Sequence, residues 1–233
     1  PIVVTQNFTA QLDANGNATI TTANINNGSS DNCSIKTIAL DKTTFNCSNI
    51  GVNTVTLTVE DVNGNVASKT ATVTVEDNIA PVISVNNNFT AQLDATGNAV
   101  ITAAQINNAT TDNCDAASAM TFELDKTSFN CSNIGENTII FTATDSKGNK
   151  VSKSVTVIIE DKVAPIVVTQ NYTAQLDANG NAIITTANIN NGSSDNCSIK
   201  TIDLDKTTFN CSNIGVNTVT LTVEDENGNV ASK

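Results

Sequence analysis

Residues 54–59 alternate strictly, with Thr54, Thr56 and Thr58 falling between Val55, Leu57 and Val59. Residues 70–75 repeat the pattern, with Ala71, Val73 and Val75 on one side and threonines on the other. A period of two sends one row of side chains to a core and the other to water, which is the mark of half-buried antiparallel strands. Valine and threonine fit a pleated, half-buried surface well. Turn signals recur at Asn15-Gly16, Asn27-Gly28, Asn49-Ile50-Gly51 and Asn63-Gly64, at the spacing of short sandwich strands. No stretch carries the 3.6-residue period of a long amphipathic helix. The pattern predicts strands over 2–5, 8–12, 17–22, 35–40, 43–47, 54–60 and 66–76. Seven short strands in about eighty residues imply an immunoglobulin-like β-sandwich.

The pattern comes back. PIVVTQNFTAQLDANGNA at Pro1 returns at Pro165 with one change, and a diverged copy starts at Pro81. The repeats are 1–80, 81–164 and 165–233. Residues 1–69 and 165–233 differ at four positions only, Phe8/Tyr172, Thr19/Ile183, Ala39/Asp203 and Val62/Glu226. The middle repeat has one extra residue before Phe89 and three more between Cys114 and Cys131. Near-identical copies argue against a unique active site, because each copy does what the other does. Arrays of this kind supply length or many equivalent weak contacts. The fold class is therefore all-β, tandem immunoglobulin-like sandwiches in an elongated array. The third repeat stops at Lys233, before the counterpart of Ala71–Asp77. That last strand belongs to a longer array or comes from a neighbouring chain by strand donation.

Composition narrows the chemistry. Eleven basic against 23 acidic residues give a net charge of −12, which disfavours nucleic acid and anionic membranes as partners and favours divalent cations. No run of 18 apolar residues spans a bilayer. No signal peptide is visible, as in a mature protein or an excised piece. The chain has no His and no Trp, and aromatics make up 3%. His-dependent triads and His-liganded zinc or iron are excluded. Carboxylate-only catalysis lacks its usual aromatic platforms, so we expect no enzyme.

Each repeat carries two cysteines, Cys33 and Cys47, Cys114 and Cys131, Cys197 and Cys211. One pair per small all-β repeat suggests a disulfide within each and an oxidising compartment. Closing a loop of about 14 residues is worth about 3 kcal/mol in the chain-entropy model. Buried free thiols, or a metal shared with a second chain, are the alternatives.

The string DNCS, then DKTTFNCSNIGVNTVTLTVEDVNGNVAS, then ATVTVED resembles the HYR-type and related bacterial immunoglobulin-like repeats. It is similar to the tandem repeats of giant surface adhesins in gliding Bacteroidota. The resemblance covers all three repeats and is strongest from Gly51-x-Asn53-Thr54 to Asp61-x-x-Gly64-Asn65. It implies a secreted or cell-surface, non-catalytic stalk or filament exported by the type IX route. Relatives often carry a third Cys where this chain has Lys69 and Lys153.

Two acid-rich features remain. Asp61-Val62-Asn63-Gly64-Asn65 reads as a hairpin turn, since Asn-Gly accepts positive φ and Asp caps backbone NH groups. Its counterpart Asp145-Ser146-Lys147-Gly148-Asn149 puts a lysine where a calcium loop needs a ligand. A composite site at the junctions between repeats is the stronger metal candidate. The linkers Glu76-Asp77-Asn78-Ile79-Ala80-Pro81 and Glu160-Asp161-Lys162-Val163-Ala164-Pro165 resemble the Asp/Asn-rich, Pro-terminated linkers of cadherins, where calcium stiffens the junction. Sandwich topology brings Asp13, Glu76 and Asp77 toward Asp112 and Asp145, and Asp94, Glu160 and Asp161 toward Asp195 and Asp225. Calcium is the expected ion, and a solvated acidic hinge is the alternative.

The expected partners are neighbouring repeats of the chain, other copies through lateral or strand-donation contacts, and surface glycans. Two functions compete: a rigid spacer in a stalk or filament, and a multivalent adhesive module binding carbohydrate or another cell surface. Sequons at Asn7, Asn17, Asn27, Asn46, Asn88 and Asn108 matter only where the source glycosylates them.

Overall fold

The Val-Thr rows form the longest strands of a computed structural model that describes residues 1–233 and is all-β. The chain divides into two compact units. The first comprises Pro1–Val85, Asn107–Glu123 and Phe141–Lys153, and the second Asn86–Ile106, Leu124–Ile140 and Ser154–Lys233. The middle sequence repeat contributes to both.

In the first unit the strands of the first repeat are β1 (Phe8–Gln11), β2 (Asn17–Thr19), β3 (Ile35–Leu40), β4 (Thr44–Asn46), β5 (Gly51–Asp61) and β6 (Val66–Glu76). One sheet has the order β1-β6-β5-β3, and β2 pairs with β4 in a second. β5 and β6 run antiparallel from Gly51↔Val75 to Glu60↔Val66, and β1 lies parallel to β6. The inward rows of both sheets meet in one core, where Ala18, Ile20 and Phe45 pack with Val55, Leu57, Val73 and Val75. Leu57 is 0% exposed, whereas Val52 on the same strand is 77% exposed. Leu57→Ala is therefore expected to cost about 3 kcal/mol through lost transfer energy and a cavity. Val52→Ala should stay within about 0.5 kcal/mol. Urea midpoints of the two variants check this, and equal losses would contradict the placement of the core.

Two local expectations are corrected. Residues 2–5 form no continuous strand, only the isolated bridges Ile2↔Ser30 and Thr5↔Asn26. Between them the Val4 NH donates to the Ser29 hydroxyl at 3.0 Å, so a side chain interrupts the ladder. The expected strand over 17–22 ends at Thr19, and Thr22–Ile25 form one helical turn, α1. There Asn24 Oδ1 accepts from both the NH and the hydroxyl of Thr21, a local polar alternative to the ladder, and Ile25 plugs the core.

The cysteine pairing is also corrected. The bonded pairs are Cys47–Cys114 and Cys131–Cys197, and Cys33 and Cys211 carry free thiols. No disulfide closes within a repeat. The reason is strand length. Cys33 precedes β3, whose Ile35 pairs with Asp61 at the end of β5. Cys47 follows β4 and lies just before Gly51, at the start of β5. An eleven-residue strand separates them by about 30 Å, far beyond the reach of a disulfide. Cys47 and Cys114 have Cα atoms 5.3 Å apart.

The remaining strands are β7 (Phe89–Gln92), β8 (Asn98–Val100), β9 (Thr121–Leu124), β10 (Ser128–Asn130), β11 (Gly135–Thr144), β12 (Lys150–Glu160), β13 (Asn181–Ile183), β14 (Ile199–Leu204), β15 (Thr208–Asn210), β16 (Leu221–Asp225) and β17 (Val230–Ser232). Single helical turns occur at α2 (Ala103–Ile106) and α3 (Thr186–Ile189). In the second unit β7 lies parallel to β12 from Phe89↔Val157 to Gln92↔Glu160, repeating the β1–β6 pair. β14, β16 and β17 repeat the β3-β5-β6 order. Tyr172–Gln175 and Gly215–Val219, the counterparts of residues that flank β6 in the first repeat, form no strand and line a groove of about 920 Å³.

Candidate metal centres

Each unit gathers three aspartates. In the first, Asp77, Asp112 and Asp145 each place a carboxylate oxygen within 4.8 Å of the others; in the second, Asp161, Asp195 and Asp225 do so. The strands supply the placement. Asp77 and Asp161 directly follow β6 and β12, Asp145 directly follows β11, and Asp225 ends β16. Asp112 and Asp195 lie in Asp-Asn-Cys turns after α2 and α3. Four of the six carboxylates, Asp77, Asp145, Asp161 and Asp225, are buried.

The hairpin and metal readings of the Asp-x-x-Gly-Asn loop turn out to be compatible. Asp145 Oδ1 accepts from the NH groups of Lys147 and Asn149, both at 2.8 Å, and Oδ2 accepts from the Asn149 amide at 2.6 Å. Asp225 repeats this with Asn227 and Asn229, and so does Asp61 with Asn63 and Asn65. At Asp61 the Asn65 amide and two backbone NH groups hold the carboxyl below its ordinary pKa. Gly64, at φ +84, takes the left-handed step of the turn. The Asp145 and Asp225 loops are turns that also carry an aspartate into a cluster. Lys147 serves through its backbone only, which is why a lysine is tolerated there.

The clusters contain acceptors without donors. Asp112 Oδ2 accepts from the NH groups of Cys114 and Asp115, but Oδ1 has no partner. Asp195 Oδ2 accepts from Cys197 NH, and again Oδ1 has none. Asp161, 5% exposed, has an unpartnered Oδ2, and the Oδ1 atoms of Asn113 and Asn196 are unpartnered as well. All five are buried oxygens. A buried acceptor lacking a donor costs about 1–3 kcal/mol, and three carboxylates this close repel each other. A hard cation satisfies both. The donor set is oxygen only, with no imidazole and with the neighbouring sulfurs tied up as disulfides, which suits calcium, with its six to eight oxygen ligands, rather than zinc. The aspartates and asparagine carbonyl of each cluster are the residues that fit it.

Asp31 and Asp61 are the counterparts of Asp112 and Asp145, and the Pro1 ammonium lies 3.1 Å from Asp31 Oδ2. The Cys33 NH, and after it this ammonium, hold the Asp31 carboxyl below its ordinary pKa.

Four expected ligands turn elsewhere. Asp13 Oδ1 caps its own turn through the NH groups of Asn15 and Asn17. Asp94 does the same with Thr96 and Asn98, and the Thr96 hydroxyl above all holds its carboxyl below the ordinary pKa. Glu76 accepts from the Gln11 amide at 2.9 Å. Glu160 pairs with Lys162 at 2.7 Å and with Gln92, in that order the causes of its lowered pKa. Asn196 was not among the expected site residues, although its amide donates to Asp161 Oδ1 and to the main-chain oxygen of Asp94. Asn113 does the same for Asp77 and Asp13. The recurrence of Asp-Asn-Cys once per repeat was the signal.

No protein-family model matches the chain, and no curated protein is a significant relative. Among solved structures, the protocadherin gamma-B4 extracellular domain shares 12% identity at a TM-score of 0.37, over 99% of this chain and 48% of that one. This chain thus spans about half of that structure. The human CDH23 repeats EC21–23 share 17% identity at a TM-score of 0.38, over 94% and 80% of the two chains. Human protocadherin-24 EC1–2 shares 10% identity at a TM-score of 0.36, over 70% and 99%.

Proposed function

We propose that the chain is a non-catalytic extracellular repeat array that serves as the stalk or filament of a surface adhesin. In this reading the repeats 1–80, 81–164 and 165–233 are sandwich modules, calcium occupies the acid clusters, and the disulfides carry load from one repeat to the next. One observation supports it above the rest: each disulfide joins a cysteine of one sequence repeat to a cysteine of the next, beside an acid cluster. A spacer needs joints that do not part. Disulfides favour an oxidising, secreted or cell-surface location. No helix is long and apolar enough to cross a membrane.

Single-molecule extension tests the reading. Pulled between its ends, the oxidised chain cannot release the segments spanned by its two disulfides, with separations of 67 and 66 residues. Reduction should lengthen the fully unfolded contour by about 450 Å. Equal contours in both states, or specific labelling of a glycan array by the multimerised chain, would count against a load-bearing spacer.

A further inference from the structure

Six Asn-Gly pairs occur in the chain, at Asn15, Asn27, Asn63, Asn179, Asn191 and Asn227. Asparagine is a thermolabile residue, and most so before glycine, because no Cβ hinders approach to the following peptide nitrogen. That nitrogen is the nucleophile of deamidation. It gives up its proton and attacks the amide carbon of the asparagine side chain. A nitrogen whose NH donates to a carbonyl must first lose that hydrogen bond.

That bond sorts the six pairs. In the Asp-x-x-Gly turns the glycine NH donates back to the aspartate carbonyl: Gly16 to Asp13 at 2.8 Å, Gly64 to Asp61 at 3.2 Å, Gly180 to Asp177 at 3.0 Å and Gly228 to Asp225 at 3.3 Å. The other two pairs, Asn27-Gly28 and Asn191-Gly192, lie in the loops after α1 and α3, and all four residues are exposed. The NH groups on either side of each glycine are engaged. Asn27 donates to the Val4 carbonyl and Asn191 to the Val168 carbonyl, both at 2.8 Å. Ser29 donates to Asn26 Oδ1 and Ser193 to Asn190 Oδ1, both at 3.0 Å. The NH groups of Gly28 and Gly192 make no hydrogen bond. The middle repeat builds the same loop with Asn108-Ala109, and Ala109 sits at φ +59, so a Cβ hinders approach to the nitrogen there.

We propose that Asn27 and Asn191 are sites of spontaneous deamidation in the folded protein, and that the other four Asn-Gly pairs are protected by their turns. The bond from the glycine nitrogen to the asparagine Cγ forms and the Cγ–Nδ2 bond breaks. The departing nitrogen takes up the proton that the glycine nitrogen lost and leaves as ammonia. Water then opens the cyclic imide at one of its two carbonyls. Opening at Cγ leaves an aspartate. Opening at the main-chain carbonyl leaves an isoaspartate, which adds a methylene to the backbone. Each event consumes one water, releases one ammonia and adds one negative charge. These loops also hold the segments 2–5 and 166–169, since the Val4 NH donates to Ser29 and the Val168 NH to Ser193, both at 3.0 Å. A methylene inserted beside those bonds loosens both segments as the protein ages.

The test incubates the full oxidised chain at mildly alkaline pH, folded and in parallel in urea, and maps its peptides by mass spectrometry. The differences Phe8/Tyr172 and Val62/Glu226 keep first-repeat and third-repeat peptides apart. With each rate taken relative to its value in urea, Asn27 and Asn191 should deamidate at least tenfold faster than Asn15, Asn63, Asn179 and Asn227. Ala109→Gly relieves a left-handed alanine and so leaves the fold intact. In that variant Asn108 should become a third site, at least tenfold faster than in wild type. Equal relative rates at all six pairs would overturn the proposal. So would Asn27 and Asn191 that stay intact in the folded chain, or an Asn108 that stays intact in the variant.

Discussion

Calcium added to metal-stripped chain raises the thermal midpoint by about 10 °C. A ligand present at about 1,000 times its Kd stabilises the folded state by about 4 kcal/mol, and each kcal/mol moves the midpoint of a chain this size by about 2–4 °C. The physical source is the cluster in each unit, where three carboxylates crowd within 4.8 Å and buried oxygens lack donors. Magnesium should act more weakly, because it gives up its waters reluctantly and demands an octahedron. Asp112→Asn and Asp195→Asn separate metal binding from folding. In each, one carboxylate oxygen accepts from the backbone and the other has no partner. An amide keeps the first contact and offers an NH₂ to the crowded oxygens. Without metal the double variant should be at least as stable as wild type, yet its calcium response should vanish. Calorimetric scans with calcium, with magnesium and with chelator decide the matter. A wild-type midpoint that ignores calcium would remove the metal centres from the picture.

How far the sequence could be read depended on the range of each interaction. The alternation of Thr54 to Val59 and of Thr70 to Val75 is a nearest-neighbour signal, and β5 and β6 follow it. Asn63-Gly64 is equally local, and the turn forms there. The strand expected over 2–5 failed because a serine hydroxyl from 25 residues away competes for the backbone. Among the acids, Asp77, Asp112, Asp145, Asp161, Asp195 and Asp225 do converge, because strand ends and turns place them. Asp13 and Asp94 cap their own turns, as Asp145 and Asp225 do, but belong to neither cluster. Nothing in composition separates a capping aspartate that joins a cluster from one that does not. The cysteines show the limit most clearly. Cys33 and Cys47 are near neighbours in sequence, and only the register of β3 on β5 shows that a full strand lies between them.

That register makes the second large effect testable. Replacing Cys47 and Cys114 together with serine is expected to cost about 4 kcal/mol, because the bond closes a 67-residue separation and loop-closure entropy grows slowly with length. Cys33→Ser should cost less than about 0.5 kcal/mol, since that thiol is exposed and unbonded. A disulfide within the first repeat would predict a large loss for Cys33→Ser instead, so urea midpoints of the two variants discriminate between the pairings. The effect should extend to the metal centre. Cys114 lies two residues after Asp112 and donates its NH to that carboxylate, while Asn113 between them donates to Asp77. The disulfide therefore holds in place the turn that presents one acid and orients another. Without it that turn must be ordered at the expense of cation affinity, so calcium should bind the serine variant at least tenfold more weakly at this centre. The second centre, beside Cys131–Cys197, should keep its affinity. A calcium titration that shows both centres unchanged would leave the staple a purely mechanical role.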